Sequence, residues 1–311
     1  MTAQVAATQA SRAPAVAATR TSGKRPMQWG RQLVLQIVCI AIAVTVLFPM
    51  VWILAMSLDP RNIARPDSLF PPGASLDAYA RVIAQPTLNP VSFIRLALNS
   101  VIIAVLISAA SVTIGAFAAY AFSRLQFRGR EFLMIAILAV LMLPAVAALA
   151  PLFVMLGKFQ VGTFNLRSSL FGVALAVTAS QLPFAIWNIK GYLDTIPREL
   201  EEAATVDGAS RFQTFRLVIL PLATPVLAVT AFFGFIAGWT EFQFSYLFLI
   251  GDTQNWTLAM ALNGMVGQYA ASTPWSSFAA FSILVALPVM LVYILLQKYI
   301  VSGLAIGGVK G

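Results

Sequence analysis

Glu202-Ala203-Ala204-Thr205-Val206-Asp207-Gly208-Ala209 lies inside a polar island, residues 190–216, between two segments each apolar enough to cross a membrane. Ala203, Ala204 and Gly208 carry almost no side-chain bulk, so a partner surface can approach the backbone closely. The island therefore reads as a loop that touches another protein. Leu193, Ile196, Leu200, Ala203 and Ala204 fall at helical spacing. Pro197 suits a first turn, and Glu199, Glu201 and Glu202 sit near the positive end of the helix dipole. The pattern predicts a short amphipathic helix along the membrane, ended by Gly208. Ser210 caps a following helix, whose Phe212, Phe215 and Leu217 lead back into the membrane. A plainer role is open to the same residues: a helix that only anchors the bundle at the interface, with Asp207 pairing Arg211 for about 0.2–0.5 kcal/mol.

Outward from the island, the 311 residues are 59% hydrophobic and only 10% charged, with a mean hydropathy of +0.85. Globular chains carry about a quarter charged residues, so this is an integral membrane protein. A hydrocarbon core of about 30 Å takes roughly 20 helical residues. Six stretches qualify: 33–58, 98–122, 132–156, 168–189, 222–239 and 278–296. None alternates in polarity as a transmembrane strand does, so the expected fold is all-α and polytopic, with six transmembrane helices. Counted over the connections, fourteen Lys and Arg fall in the two termini, the 123–131 connection and the 190–217 loop, against six on the other side. Positively charged loops stay inside, so both termini and that loop are expected in the cytoplasm. The isoelectric point near 10.1 is then a topology signal, and nucleic acid is not an expected partner.

Residues 1–30 are rich in Ala, Thr, Ser and Arg without an acidic residue, and read as a disordered cytoplasmic tail; a mitochondrial presequence has similar composition. Residues 31–311 form the membrane domain, with 300–311 as a second cytoplasmic tail. The proline-dense connection 59–95 predicts a loop with one short helix near 76–83. Residues 241–270 are apolar only in patches and read as a long external loop with re-entrant or interfacial pieces. Pro49, Pro144, Pro183 and Pro288 lie inside spans and Pro225 opens one, as suits kinked, cavity-lining helices or simply ordinary membrane helices. The single cysteine, Cys39, is expected buried in the first span. With it alone and no histidine, the chain forms no internal disulfide and no zinc site of the usual kind.

Past the island the pattern extends to Val218, Leu220 and Pro221. Glu-Ala-Ala, three residues, Gly, nine residues, Val, one residue, Leu-Pro resembles the signature loop of permease subunits of ATP-binding-cassette importers. Leu98-Asn99-Ser100, Trp239-Thr240-Glu241-Phe242, Pro288 and the ending Gly303 to Gly311 are similar to the carbohydrate, maltose-type branch. Coverage runs from about residue 31 to the end, with a family-like core at about 95–299. Val218 stands where the pattern usually has Ile, and Thr240 where related chains often have Asn.

The resemblance implies a type I importer permease fold in a bacterial inner membrane. It implies import of a carbohydrate or polyol by alternating access, with no covalent chemistry in this chain. The implied partners are a second permease, two copies of an ATPase and an external sugar-binding protein, in membrane lipid. Glu202, Ala203, Ala204, Asp207, Gly208, Leu220 and Pro221 would couple to the ATPase. Gly307, Gly308 and Lys310 would reach between the two ATPases, unless the terminus is frayed. Asn255, Gln268 and Pro274 would face the binding protein.

The remaining chemistry is sparse. No Gly-x-x-x-x-Gly-Lys-Ser/Thr occurs, so ATP is not bound in that way and the energy comes from a partner; no cofactor is expected. Ionisable groups at midspan, which ion-coupled carriers use, are almost absent; Glu241 at an outer end is the nearest. Gln181, Asn188 and Glu241 are candidates for the substrate path. Ser180, Ser108 and Ser111 also lie in spans, and any of these polar groups serves equally to bond helix to helix. Other readings are an importer of the same class for a glycerol phosphodiester or an amino acid, and a carrier or channel working alone.

Overall fold

The computed structural model describes residues 29–267 and 272–307. The chain divides into two units, 1–49 and 50–311. The described part of the first is helix, with Leu33, Ile37, Ile40 and Val44 exposed. Cys39 is exposed too, a correction to its expected burial, since a helix of apolar side chains can offer its whole surface to lipid.

Helix α1, Trp29–Leu58, leads into the proline-rich connection, where α2 is Asp77–Ala84, within one residue of the short helix expected at 76–83. Helix α3, Phe93–Arg124, starts at a Ser92 cap that accepts from the Arg95 amide and stops where Leu125 turns extended. Next come α4, Arg130–Val140, and α5, Leu149–Gly157, then a two-stranded hairpin pairing Gln160–Val161 (β1) with Phe164–Asn165 (β2). Helix α6, Leu170–Leu193, is capped by Ser169. The island folds as α7, Glu199–Val206, and α8, Arg211–Thr214, and a wider π-turn over Phe215–Ile219 leads to α9, Leu220–Leu222. Helix α10, Thr224–Trp239, is followed by two short helices, α11, Gln243–Leu249, and α12, Leu258–Gly264, and then by α13, Trp275–Gly307. As expected, 241–267 holds no segment long enough to span.

Among the described residues four helices are long and apolar enough to cross a membrane: Gln32–Leu58, Phe93–Arg124, Leu170–Leu193 and Trp275–Ile300. A fifth candidate is bent: Arg211–Leu222 and Thr224–Trp239 meet at 76°. Pro225 explains the bend. It has no N–H to give the Pro221 carbonyl four residues back, and Thr224 Oγ1 donates to that carbonyl instead, at 2.8 Å. The stretch 132–156, expected as one helix, is broken. Pro144 is extended (φ −64°, ψ 127°) and its ring disfavours helix at Leu143, so α4 ends at Val140. Eleven residues reach only about 16 Å, short of a hydrocarbon core of about 30 Å.

Helix α3 is the axis of the core in 50–311. Near its start Leu96 and Ala104 pack with Trp239 and Phe235 of α10, Leu258 and Ala261 of α12 and Phe281 of α13. At its middle Ile103 and Ile107 meet Val173 and Val177 of α6 and Phe244 and Phe248 of α11. Toward its end Ala116 and Ala119 meet Ile189 and Leu193 of α6, and Phe215, Ile219 and Val226. Small residues let α10 come close: a Cβ on Gly238 would lie 2.6 Å from Ala104 Cα, and one on Gly234 2.9 Å from Ser108 Cα. Ser108 Oγ donates to the Ala231 carbonyl across the same interface at 2.8 Å. This is the Gly-x-x-x-Gly packing of membrane helices.

Candidate functional site

The α7–α8 turn is built by its own residues. The Gly208 amide donates to the Thr205 carbonyl at 3.0 Å and the Ala209 amide to the Ala204 carbonyl at 2.9 Å. Gly208 has φ +83°, the left-handed conformation this Schellman end requires. Ser210 and Gln213 then form a reciprocal capping box that starts α8. The island is therefore helix, turn, helix, as its spacing predicted, although the first helix begins later. Leu193 closes α6 and Ile196 lies in the linker; both are buried against Ala119 and Phe215 and not on α7.

Helix α7 buries none of its residues. Glu202, Ala203, Asp207 and Gly208 are exposed, Ala204 is half-buried, and Val206 is 88% exposed. Leu220 is half-buried and Pro221 exposed on the arm that follows. The Asp207–Arg211 pair weighed for a mere anchor is not among the ion pairs of the described residues.

A polar cluster under α7 was not legible in the sequence. The Arg124 guanidinium, 7% exposed, pairs through Nε with the Glu201 carboxylate. Its Nη2 donates to the Ile196 carbonyl at 2.9 Å and its Nη1 to Ser123 Oγ at 3.2 Å. Ser123 Oγ in turn donates to Asp194 Oδ1 at 2.6 Å, and Lys190 Nζ to Asp194 Oδ2 at 2.5 Å. Arg198 Nη2 reaches the Ser123 carbonyl at 3.5 Å. Burial pushes the Asp194 carboxyl up, but the bonds from Lys190 and Ser123 hold it below the usual carboxylate range. An open cleft of about 590 Å³, with Tyr120, Gln126, Arg211 and Thr214 on its walls, lies beside the pair. An Arg in the last turn of a helix is common for dipole reasons, so nothing in the sequence singled Arg124 out.

At the opposite end of α3, Asn99 Nδ2 donates to the Gln254 and Trp256 carbonyls, each at 2.8 Å, and Ser100 Oγ accepts from the Leu258 amide at 2.9 Å. These bonds hold the loop containing Asn255, whose amide donates to Asp252 at 2.7 Å. Pro274 is half-buried and its carbonyl accepts from Phe278 at the start of α13. Gln268 lies outside the described residues, as do Gly308 and Lys310; Gly307 is the last residue of α13. Gln181 is half-buried, and Asn188 Nδ2 donates to Thr230 Oγ1 at 3.2 Å, tying α6 to α10. Glu241, 9% exposed, accepts from the amides of Phe244 and Ser245 at 2.7 and 2.8 Å and from the Ser245 hydroxyl. Its carboxylate thus serves as the cap that starts α11.

The family model described as binding-protein-dependent transport system inner membrane component matches residues 111–306, which include the whole island. The chain belongs to that family. Among curated relatives of this inner membrane component, the trehalose/maltose transport system permease protein MalG of Thermococcus litoralis is 36% identical over 90% of this chain and 98% of its own. The galactooligosaccharides transport system permease protein GanQ of Bacillus subtilis is 32% identical over 86% and 92%. Among solved structures, a bacterial ABC transporter involved in the import of the acidic polysaccharide alginate superposes with a TM-score of 0.70 over 87% of this chain and 96% of its own, at 22% identity. A bacterial alginate ABC transporter in complex with a pentasaccharide-bound periplasmic protein gives 0.62 over 87% and 93%, at 16% identity. At these identities the likeness is one of fold.

Proposed function

We propose that the chain is one permease subunit of an ATP-binding-cassette importer for a carbohydrate or polyol, working with a second permease, two ATPase copies and an external binding protein. One observation carries the docking part of this reading. Helix α7 and the turn after it present Glu202, Ala203, Asp207 and Gly208 outward, all four exposed, so this outer face is open for an ATPase surface. The sugar part is supported by the maltose- and galactooligosaccharide-type relatives, which align along nearly their whole lengths.

In this reading both termini and α7 face the cytoplasm, as the Lys and Arg distribution favours. Six crossings follow if α4 and α5 together make a broken third and the bent arm with α10 makes the fifth; non-helical backbone at 141–144 is tolerated where protein or water covers it. ATP binding closes the ATPase pair, α7 moves with it, and the bundle passes from inward-open to outward-open; hydrolysis resets it. The loop around Asn255 faces the binding protein. Gln181, midway along α6, and Asn188, nearer its end, lie on the sugar path.

A pull-down of the tagged chain from its native membrane in mild detergent tests the reading. An ATPase and a second permease should copurify, and the binding protein encoded with them should bind a sugar. A chain that stays alone even after cross-linking would sink it, and a binding protein that takes an amino acid would sink the sugar alone.

A further inference from the structure

We propose that the Arg124–Glu201 ion pair is the tie that makes α7 move as one body with α3, so that Arg124 is the positioning residue linking the docking helix to the core of the bundle. The inference rests on the docking reading above and adds the path from α7 into the membrane.

Three observations carry it. First, α7 has eight residues and none is fully buried, so neither its length nor apolar burial is enough to fix its position; isolated helices that short are marginal in water. Second, the described ion pair from α7 to the bundle is the one between Glu201 and Arg124, with side chains 16% and 7% exposed, where solvent screens it little. Third, Arg124 is held from several sides. It is the last residue of α3 and bonds the Ile196 carbonyl, while Ser123 beside it bonds Asp194. One guanidinium thus gathers the end of α3, the linker after α6 and α7, and through Ser123 it reaches Asp194 at the cap of α6. Its planar fork, donating in several fixed directions, makes this possible where a lysine would supply a point charge.

The neighbouring carboxylates divide the work. Glu201 points under the helix to Arg124, and Glu202 is exposed on the docking side. A push on the outer face of α7 therefore reaches α3, which runs through every cluster of the core.

The test is a distance measurement between spin labels in the purified complex, without nucleotide and trapped with ATP and vanadate. Labels go on Cys substitutions of Val206 on α7 and Ile94 near the far end of α3, both exposed, in a Cys39→Ser background. The tie predicts the same narrow distance in both states for the otherwise unaltered complex. In Arg124→Ala and Glu201→Gln the distribution should broaden and shift on trapping, and the exchanged pair Arg124→Glu with Glu201→Arg should restore it. Glu201→Gln keeps the shape of the side chain, so it reports even if Arg124→Ala assembles poorly. A distance that changes in the unaltered complex, or variants that behave like it, would overturn the tie. So would variants that fail to assemble at all, which would make the pair a folding contact. A preparation of the unaltered chain in which no ATPase copurifies would overturn the docking reading and the tie together.

Discussion

Glu201 and Glu202 are adjacent carboxylates on one helix, and their surroundings give them opposite tasks. Glu202 is exposed and takes part in no ion pair among the described residues, so Glu202→Ala should leave the melting temperature of the detergent-solubilised chain unchanged, within about 0.5 kcal/mol. The same variant should retain less ATPase through a salt wash, and equal retention would remove Glu202 from the docking surface. Gly208 can be dissected in the same way. A Cβ there meets nothing within 4 Å, but the φ of +83° disfavours every residue with a Cβ. Gly208→Ala should therefore cost about 1 kcal/mol, all of it backbone. Gly208→Arg adds bulk and charge on the open side; it should insert in the membrane normally and lose the ATP hydrolysis stimulated by loaded binding protein. Normal stimulation in that variant would rule out close approach at Gly208. The glycine was legible in the sequence because its conformational need is intrinsic to the turn. Arg124 was not, because its importance lies in Glu201 and Ile196, residues more than seventy positions away.

At the scale of elements, the contact of α3 with α10 depends on having no side chain at two positions. Gly238→Leu drives a Cβ to 2.6 Å from Ala104 Cα, a backbone atom that cannot yield, and overpacking of this kind costs about 1–3 kcal/mol or more. The variant should elute as aggregate on size exclusion, while Gly191→Ala, in open space on α6, should be neutral or raise the melting temperature. Equal behaviour of the two would mean that α3 and α10 do not approach this closely. The connection after α1 is fastened by charge. Asp59 accepts from the Arg61 amide and guanidinium at 2.8–3.0 Å, and its own carbonyl accepts from Ser276 at the start of α13. Those bonds from Arg61 hold the Asp59 carboxyl below its ordinary 3.8. Its contribution is therefore complete above pH 3.8 and disappears as the pH falls through the lower folded value. A thermal-shift series should show stability lost below that pH, and Asp59→Asn should flatten that acid limb. The broken stretch 132–156 was half legible: Pro144 and Pro151 were visible, but composition alone does not say whether a proline kinks a helix or ends it.

For the whole molecule, the open question in the sequence is what covers its apolar surface. Phe132 and Ile135 on α4 and Met290 and Leu291 on α13 are 54–73% exposed. Lipid covers such side chains, and a second permease is expected to take part of that surface. Cysteine pairs placed between exposed α4 positions and the copurifying permease should cross-link in native membranes; capture of lipid alone at every α4 position would place that interface elsewhere. The sequence by itself determined that the chain is helical and membrane-embedded, where the polar island proposed to dock lies, and that no Gly-x-x-x-x-Gly-Lys-Ser/Thr phosphate loop occurs in it. Each of these follows from local quantities: hydropathy over about twenty residues, the conformational demand of one glycine, a missing phosphate loop. Tertiary structure alone decided that α3 is the axis of the core, that Glu241 caps a helix, and that Glu201 rather than Glu202 turns inward to Arg124. Those outcomes depend on which groups meet across long stretches of chain, and pairing at such separation leaves no local period or spacing to read.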